Sequence, residues 1–297
     1  MSKQDIRRII ETRLHEDGVV ETAIAGMKLF RVTTSIPCAP AIYEPTVVAI
    51  VSGTKEAVLD GRRYLYDSSR YLCCPMTMPV EAGTPDASPD NPLLGVMVSL
   101  DPRAMAELAI EMETVAGAAR KPGSSAFQQG LALARWDDAF ADSLLRLLQL
   151  GDSPADAAVI GKGRLREFFF AVLKGEAGSA ARRAFGVGNE IARAIQYLSA
   201  HLKEPVTIED LAAHAGMSRA VFHRRFKEAT TMSPIQFVKS MRLNNAAMKI
   251  AGGVTVNKAA LDVGYVSTSQ FNREFKRLYG QPPRKWGAAN PLPAGML

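Results

Sequence analysis

Histidine is scarce in this sequence, and its placement says more than its number. Four histidines occur in 297 residues, and His15 is the single one before residue 187. A histidine-rich metal centre needs several imidazole and carboxylate ligands converging on one point, so none can be assembled in the N-terminal half. The chain also lacks a phosphate loop, a dinucleotide fingerprint and a nucleophile elbow. The protein is therefore read as no enzyme, with no cofactor, metal or catalytic residue expected. Cysteine is limited to Cys38, Cys73 and Cys74, an odd number without metal-site spacing. That fits thiols in a reducing compartment better than a disulfide framework. No apolar run approaches the roughly 18 residues of a spanning helix. The first residues, MSKQDIRRIIETRLHEDG, scatter charge where a leader would carry a basic end and an apolar stretch. The expectation is a folded cytoplasmic protein with no membrane partner.

What is present becomes informative once charge is split by position. The net charge is +6, but residues 188–297 hold 15 Lys and Arg against 7 Asp and Glu, whereas residues 1–187 hold 21 against 23. The basic excess sits in the C-terminal part, as expected of a polyanion binder joined to a near-neutral unit. Charge alone does not choose between nucleic acid, an acidic protein and a membrane surface.

Along the chain, Ile6, Ile9, Ile10 and Leu14 recur at helical spacing. From about 30 to 100, short β-branched and aromatic runs alternate with turns, and Asp60-Gly61 is a hairpin signal. Many short strands with frequent proline suggest a small barrel or sandwich. From about 102 to 174 the pattern is helical, beginning PRAMAELAIEMETVA and crowding Leu144, Leu145, Leu147, Leu148 and Leu150 around one face. That face is more often core than contact, yet a dimerising regulator would place it between protomers. The small-residue stretch GEAGSAARRAFGVG, 175–188, is the candidate boundary between domains 1–187 and 188–297.

An internal repeat lies in the basic domain. Val206-Thr207, Ala212 and Gly216 match Val254-Thr255, Ala260 and Gly264 at an offset of 48. Beyond one extra residue in the second turn the offset is 49, and Ser218, Phe222, Arg224, Phe226-Lys227 and Pro234 match Ser267, Phe271, Arg273, Phe275-Lys276 and Pro283. Each copy, about 206–228 and 254–278, reads as helix, turn, helix. Thr207 with Asp210, and Ser267 with Gln270, have capping-box spacing, and Gly216 is expected where a side chain would clash. Ser233-Pro234 opens a linker helix that Gly252-Gly253 stops.

Two helix-turn-helix units suit double-stranded DNA, because the second helix of each is narrow enough for the major groove. Phase selects the candidate readers: Arg219, Ala220, His223 and Arg224 avoid the Phe222/Phe226 face, and Thr268, Ser269, Gln270, Asn272 and Arg273 avoid the Phe271/Phe275 face. Arg224 and Arg273 hold the same place in both copies and suit a bidentate guanine contact or a phosphate clamp. One linker helix would set the readers about 34 Å apart on one face of DNA. The phenylalanines are read as core. His223 fits either a DNA contact or a solvated surface, and His201 and His214 are read as surface.

Residues 190–286, through AGMSRAVFHRRFKEATTMSPIQFVKSMRL and ALDVGYVSTSQFNREFKRLYGQPPRKW, resemble the DNA-binding domain of the AraC/XylS family of bacterial transcription regulators. Arg225 departs from the family's pattern, where an apolar residue is commoner, and Ala220 is small for a contact position. The N-terminal half, through YEPTVVAIVSGTKEAVLDGRRYLYDSSRYL and LREFFFAVLKGEAG, is similar to the regulator N-terminal domain of one branch of that family. The resemblance implies an α+β, two-domain protein: a cupin-like β-barrel with dimerisation helices, then an all-α domain with two helix-turn-helix units joined by a linker helix. It further implies promoter DNA and RNA polymerase as partners, a small-molecule effector, homodimerisation, and activation rather than repression. Cys73 and Cys74 are possible sensor thiols, since Arg70 is near in sequence, against a buried and inert alternative. The rival function is a metal-free ligand-binding protein or enzyme whose basic domain meets an acidic protein or membrane.

Overall fold

In the computed structural model, residues 2–115, 130–186 and 188–290 are described. Helix α1 (Ser2–Arg13) precedes β1 (Gly18–Glu21), β2 (Met27–Val32), β3 (Ile36–Tyr43), β4 (Thr46–Ser52), β5 (Lys55–Leu59), β6 (Arg62–Tyr66), β7 (Arg70–Cys74), β8 (Met78–Thr84) and β9 (Leu93–Ser99). Helix α2 (Pro102–Val115) is followed by β10 (Ala132–Arg135), α3 (Asp138–Leu150), α4 (Pro154–Lys174) and α5 (Gly178–Phe185). The rest is helical: α6 (Glu190–Ala200), α7 (Ile208–His214), α8 (Arg219–Thr230), α9 (Pro234–Ala251), α10 (Val256–Asp262), α11 (Thr268–Tyr279) and α12 (Pro283–Ala289). Ala116, the last residue of the expected α2 run, and Val187, in the expected boundary, lie outside the described residues.

The strands form two antiparallel sheets, β1-β2-β9-β4-β7-β10 and β3-β8-β5-β6. Strands thus begin before residue 30, and one, β10, returns after α2 to pair with β7. Side chains alternate across the larger sheet. Phe30, Val48, Ile50, Leu72 and Cys74 point between the sheets toward Ala57, Tyr64, Tyr66 and Val80. Val47, Ala49, Tyr71, Cys73 and Val96 point outward to Ile6, Ile10, Phe140, Leu144 and Phe168. Asp60 and Gly61, both at positive φ, join β5 to β6 as a tight hairpin.

That outer layer settles the leucine-rich helix. Leu144, Leu147 and Leu148 are fully buried within the chain, so this face of α3 is core and is not available to a second protomer. The stretch read as a boundary contains α5, whose Ala180, Ala181, Ala184 and Phe185 pack into the same core. Adjacent Cys73 and Cys74 face opposite layers, and both are fully buried. Burial pushes Cys73 up to about 12 and Cys74 well above its ordinary value. A sensor thiol must be exposed and ionisable. Neither cysteine meets that requirement, and the sensor-thiol expectation is withdrawn.

The helical domain is docked on the smaller sheet. Asn244, in the middle of α9 and only 5% exposed, donates through Nδ2 to the carbonyls of Ala41 (3.0 Å) and Val80 (2.8 Å), which face each other across β3 and β8. Its Oδ1 accepts from the Tyr279 hydroxyl at 2.7 Å. A buried amide with these contacts costs little to bury and would cost heavily to misplace.

Candidate nucleic-acid interface

Each helix-turn-helix unit is built on a pair of phenylalanines four residues apart. Phe222 and Phe226 on α8, and Phe271 and Phe275 on α11, are fully buried, with ring centroids 5.2 and 5.5 Å apart. A further aromatic closes each unit edge-on: Phe237 against Phe226 at 5.1 Å, and Trp286 against Phe275 at 5.8 Å. Burying one side of each second helix leaves the opposite side to solvent.

The caps fix where those helices start. Thr207 and Asp210 form a complete capping box on α7, and Ser233 and Gln236 another on α9. The two hydrogen bonds from Thr207 hold Asp210 below the usual carboxylate range. Ser218 and Ser267 cap α8 and α11 through their side chains. The Ser267 box is half made, because the Gln270 amide donates to Glu274 at 3.2 Å instead of turning back. Gly216 and Gly264 take left-handed φ values of +64° and +85°. A Cβ at Gly216 would meet nothing within 4 Å, so that glycine answers to backbone conformation and not to the expected clash; at Gly264 it would lie 2.8 Å from the Lys203 carbonyl oxygen.

On α8, Arg219, Ala220 and Arg224 are exposed and His223 is half-buried; on α11, Ser269, Gln270, Asn272 and Arg273 are exposed and Thr268 is half-buried. Arg219 is held by Glu209 at 2.7 Å. Among the described residues, Arg224 and Arg273 enter no ion pair. His201 is half-buried and stacks on Tyr197, whose ring also carries His214.

Two organising residues were not singled out from sequence. Glu274 accepts from the Tyr265 hydroxyl (2.8 Å) and Gln270, and pairs with Lys239 at 3.7 Å. Partial burial pushes its carboxyl up, and these bonds outweigh that and hold it below the ordinary value. Asn244 is the other. The only sequence signal for either is a polar residue on a helix at a phase that faces neighbours.

The regulator N-terminal model, described as the AraC-type transcriptional regulator N-terminus, matches residues 23–180, over half of the chain. The chain belongs to the AraC/XylS family of transcription regulators. A helix-turn-helix domain model matches residues 211–289 of this AraC/XylS chain. It is 27% identical over 110 residues to the putative HTH-type transcriptional regulator YkgA of Escherichia coli, covering 35% of this chain and 46% of YkgA. Against the HTH-type transcriptional regulator MtrA of Neisseria gonorrhoeae it is 38% identical over 80 residues, 27% of each protein. The chain thus spans less than half the length of these curated relatives. An apo ToxT variant from Vibrio cholerae has the same fold, with a TM-score of 0.59 at 12% identity over 91% of this chain and 100% of ToxT.

Proposed function

We propose that this family member binds a specific double-stranded promoter sequence through both helix-turn-helix units and activates transcription when a small molecule occupies its N-terminal domain. The observation that carries this reading is the equivalence of Arg224 and Arg273: two exposed guanidinium groups, in no ion pair among the described residues, at matching positions on helices whose other faces are locked by buried phenylalanines. Arg219, Ala220, His223, Thr268, Ser269, Gln270 and Asn272 complete the reading surface. Residues 1–187 are assigned to sensing and dimerisation and residues 188–297 to DNA. RNA polymerase is the partner activation requires, and the cytoplasm the compartment where both meet. For a homodimer, α4 offers what α3 does not, since Val159, Ile160 and Phe170 are exposed large apolar side chains.

Selection of genomic DNA fragments on the purified full-length protein at near-physiological salt tests the reading. The expected result is an asymmetric motif with two short blocks about one helical turn apart. Recovery of fragments without a shared motif would transfer the basic domain to an acidic protein or membrane partner.

A further inference from the structure

The second helix-turn-helix unit carries one residue more than the first, and the backbone identifies which. In the first turn the Met217 N–H donates to the Ala212 carbonyl at 2.9 Å; in the second the Tyr265 N–H donates to the Ala260 carbonyl at 3.0 Å. Ala212 and Ala260 are equivalent, so Tyr265 is the counterpart of Met217, and both pack against the apolar core. The caps Ser218 and Ser267 are equivalent too. Val266 is therefore the added residue. It is 98% exposed, more than any other large apolar side chain among the described residues, so it contributes almost nothing to the packing of the turn. Tyr265 holds the turn instead, with its ring edge-on to Phe271 at 5.2 Å and its hydroxyl bonded to Glu274.

On an ordinary surface a single exposed valine needs no explanation. This one stands immediately before the cap of α11, at the leading end of the helix, and the N-terminal residues of such a helix are those that reach base edges. The polar side chains beside it are partly committed: Ser267 accepts from the Gln270 N–H as the cap, and the Gln270 amide donates to Glu274. A valine offers no hydrogen bond to a base edge. The apolar group that the major groove presents is the thymine C5-methyl. A β-branched side chain, stiff about χ1, also loses little freedom on contact. We infer that Val266 reads a thymine methyl in the part of the promoter site bound by the second unit, a specificity contact for which the first unit has no equivalent residue. The inference rests on the promoter-DNA reading proposed above.

The selected promoter site supplies the test. Each thymine of both blocks, on either strand, is replaced in turn by deoxyuridine, which loses the methyl group and keeps the pairing edge, and the affinity of the full-length protein is read by mobility shift at one salt concentration. At one thymine the unaltered chain is expected to lose about fourfold, the worth of one buried methyl group. Val266→Ala should bind the thymine and uracil forms of that position equally, with any other uracil effect in the site unchanged, and Val266→Ile should retain the discrimination. Because Val266 is exposed, the melting midpoint of Val266→Ala should match that of the unaltered chain, which separates a lost contact from a lost fold. Blocks free of thymine, uracil replacement without effect, or a discrimination that survives Val266→Ala overturns the proposal. Reduced transcription by Val266→Ala with DNA affinity and uracil response unchanged also overturns it, and puts a protein surface over the valine instead. Those outcomes leave the specific site standing; recovery of no specific site removes the promoter reading itself, and the thymine contact with it.

Discussion

Helix α8 ends on Thr231 and helix α11 on Gly280, equivalent positions, and both residues take left-handed backbone with φ of +69° and +76°. The same equivalence runs through the interior of the two helix-turn-helix units: paired phenylalanines, a third aromatic edge-on, a serine cap on the second helix. Their outer faces diverge. The first presents Arg219, His223 and Arg224, the second Ser269, Gln270, Asn272 and Arg273. Their anchoring diverges as well, because Tyr279 at the end of α11 bonds to Asn244, which grips β3 and β8 of the N-terminal domain. The inner face is set by the need to bury aromatic surface, so both copies retain it; the solvent-facing side carries no such constraint and is free to diverge.

The largest effects should therefore be alike in the two copies. Phe226→Ala and Phe275→Ala are each expected to cost about 3–5 kcal/mol by urea unfolding, as cavities left by fully buried aromatics do. A cost below about 1 kcal/mol at one of them would end the claim of a shared skeleton. The turns should separate the copies. Gly216→Ala carries only the roughly 1–2 kcal/mol of a left-handed L-residue. Gly264→Ala adds the approach to the Lys203 and Leu202 carbonyl oxygens, 2.8 and 2.9 Å from the new Cβ, and is expected to be the more damaging. Equal costs would show that the second turn needs its glycine for conformation alone.

On the outer faces, Arg224→Ala and Arg273→Ala should each lower affinity for the selected site by about 1–3 kcal/mol if both contact bases, roughly 5- to 150-fold, with the loss confined to specific DNA. Arg219→Ala should lose less, because its guanidinium is engaged by Glu209 and breaking that exposed pair offsets about 0–1 kcal/mol of whatever the arginine gains on DNA. Mobility shifts on specific and scrambled DNA check all three. An Arg219 loss as large as that of Arg224 would mean that the Glu209 pair opens on DNA.

How much of this was legible in the sequence follows the range of each interaction. The caps at Thr207, Ser218 and Ser267, the Asp60-Gly61 hairpin and the phenylalanine phase are written within a few residues and were readable. The leucine-rich helix was readable as apolar but not in its destination, since Leu144 meets strands far along the chain. Cys73 and Cys74 could be placed on opposite faces, yet the helical layer that buries Cys73 could not be foreseen. Asn244 shows the limit most clearly. It takes its meaning from distant elements, carbonyls 203 and 164 positions away. It has no local pattern to announce it.

The smallest expected effect sharpens the opening comparison. Threonine is β-branched, and a left-handed φ at such a residue is a steric outlier. In the second copy the same corner is turned by glycine. Among the described residues the buried side-chain oxygen of Thr231 has no hydrogen-bond partner, so its side chain offers no polar compensation for the strain. Thr231→Gly removes a penalty of about 1–2 kcal/mol while giving the unfolded chain extra freedom worth roughly 0.5–1 kcal/mol. The net expectation is stabilisation by up to about 1.5 kcal/mol, read as a rise of a few degrees in melting midpoint. Gly280→Thr in the second copy should go the other way. If Thr231→Gly lowers the midpoint, the threonine methyl must contribute packing that outweighs its backbone strain, and the two copies then differ inside as well as out.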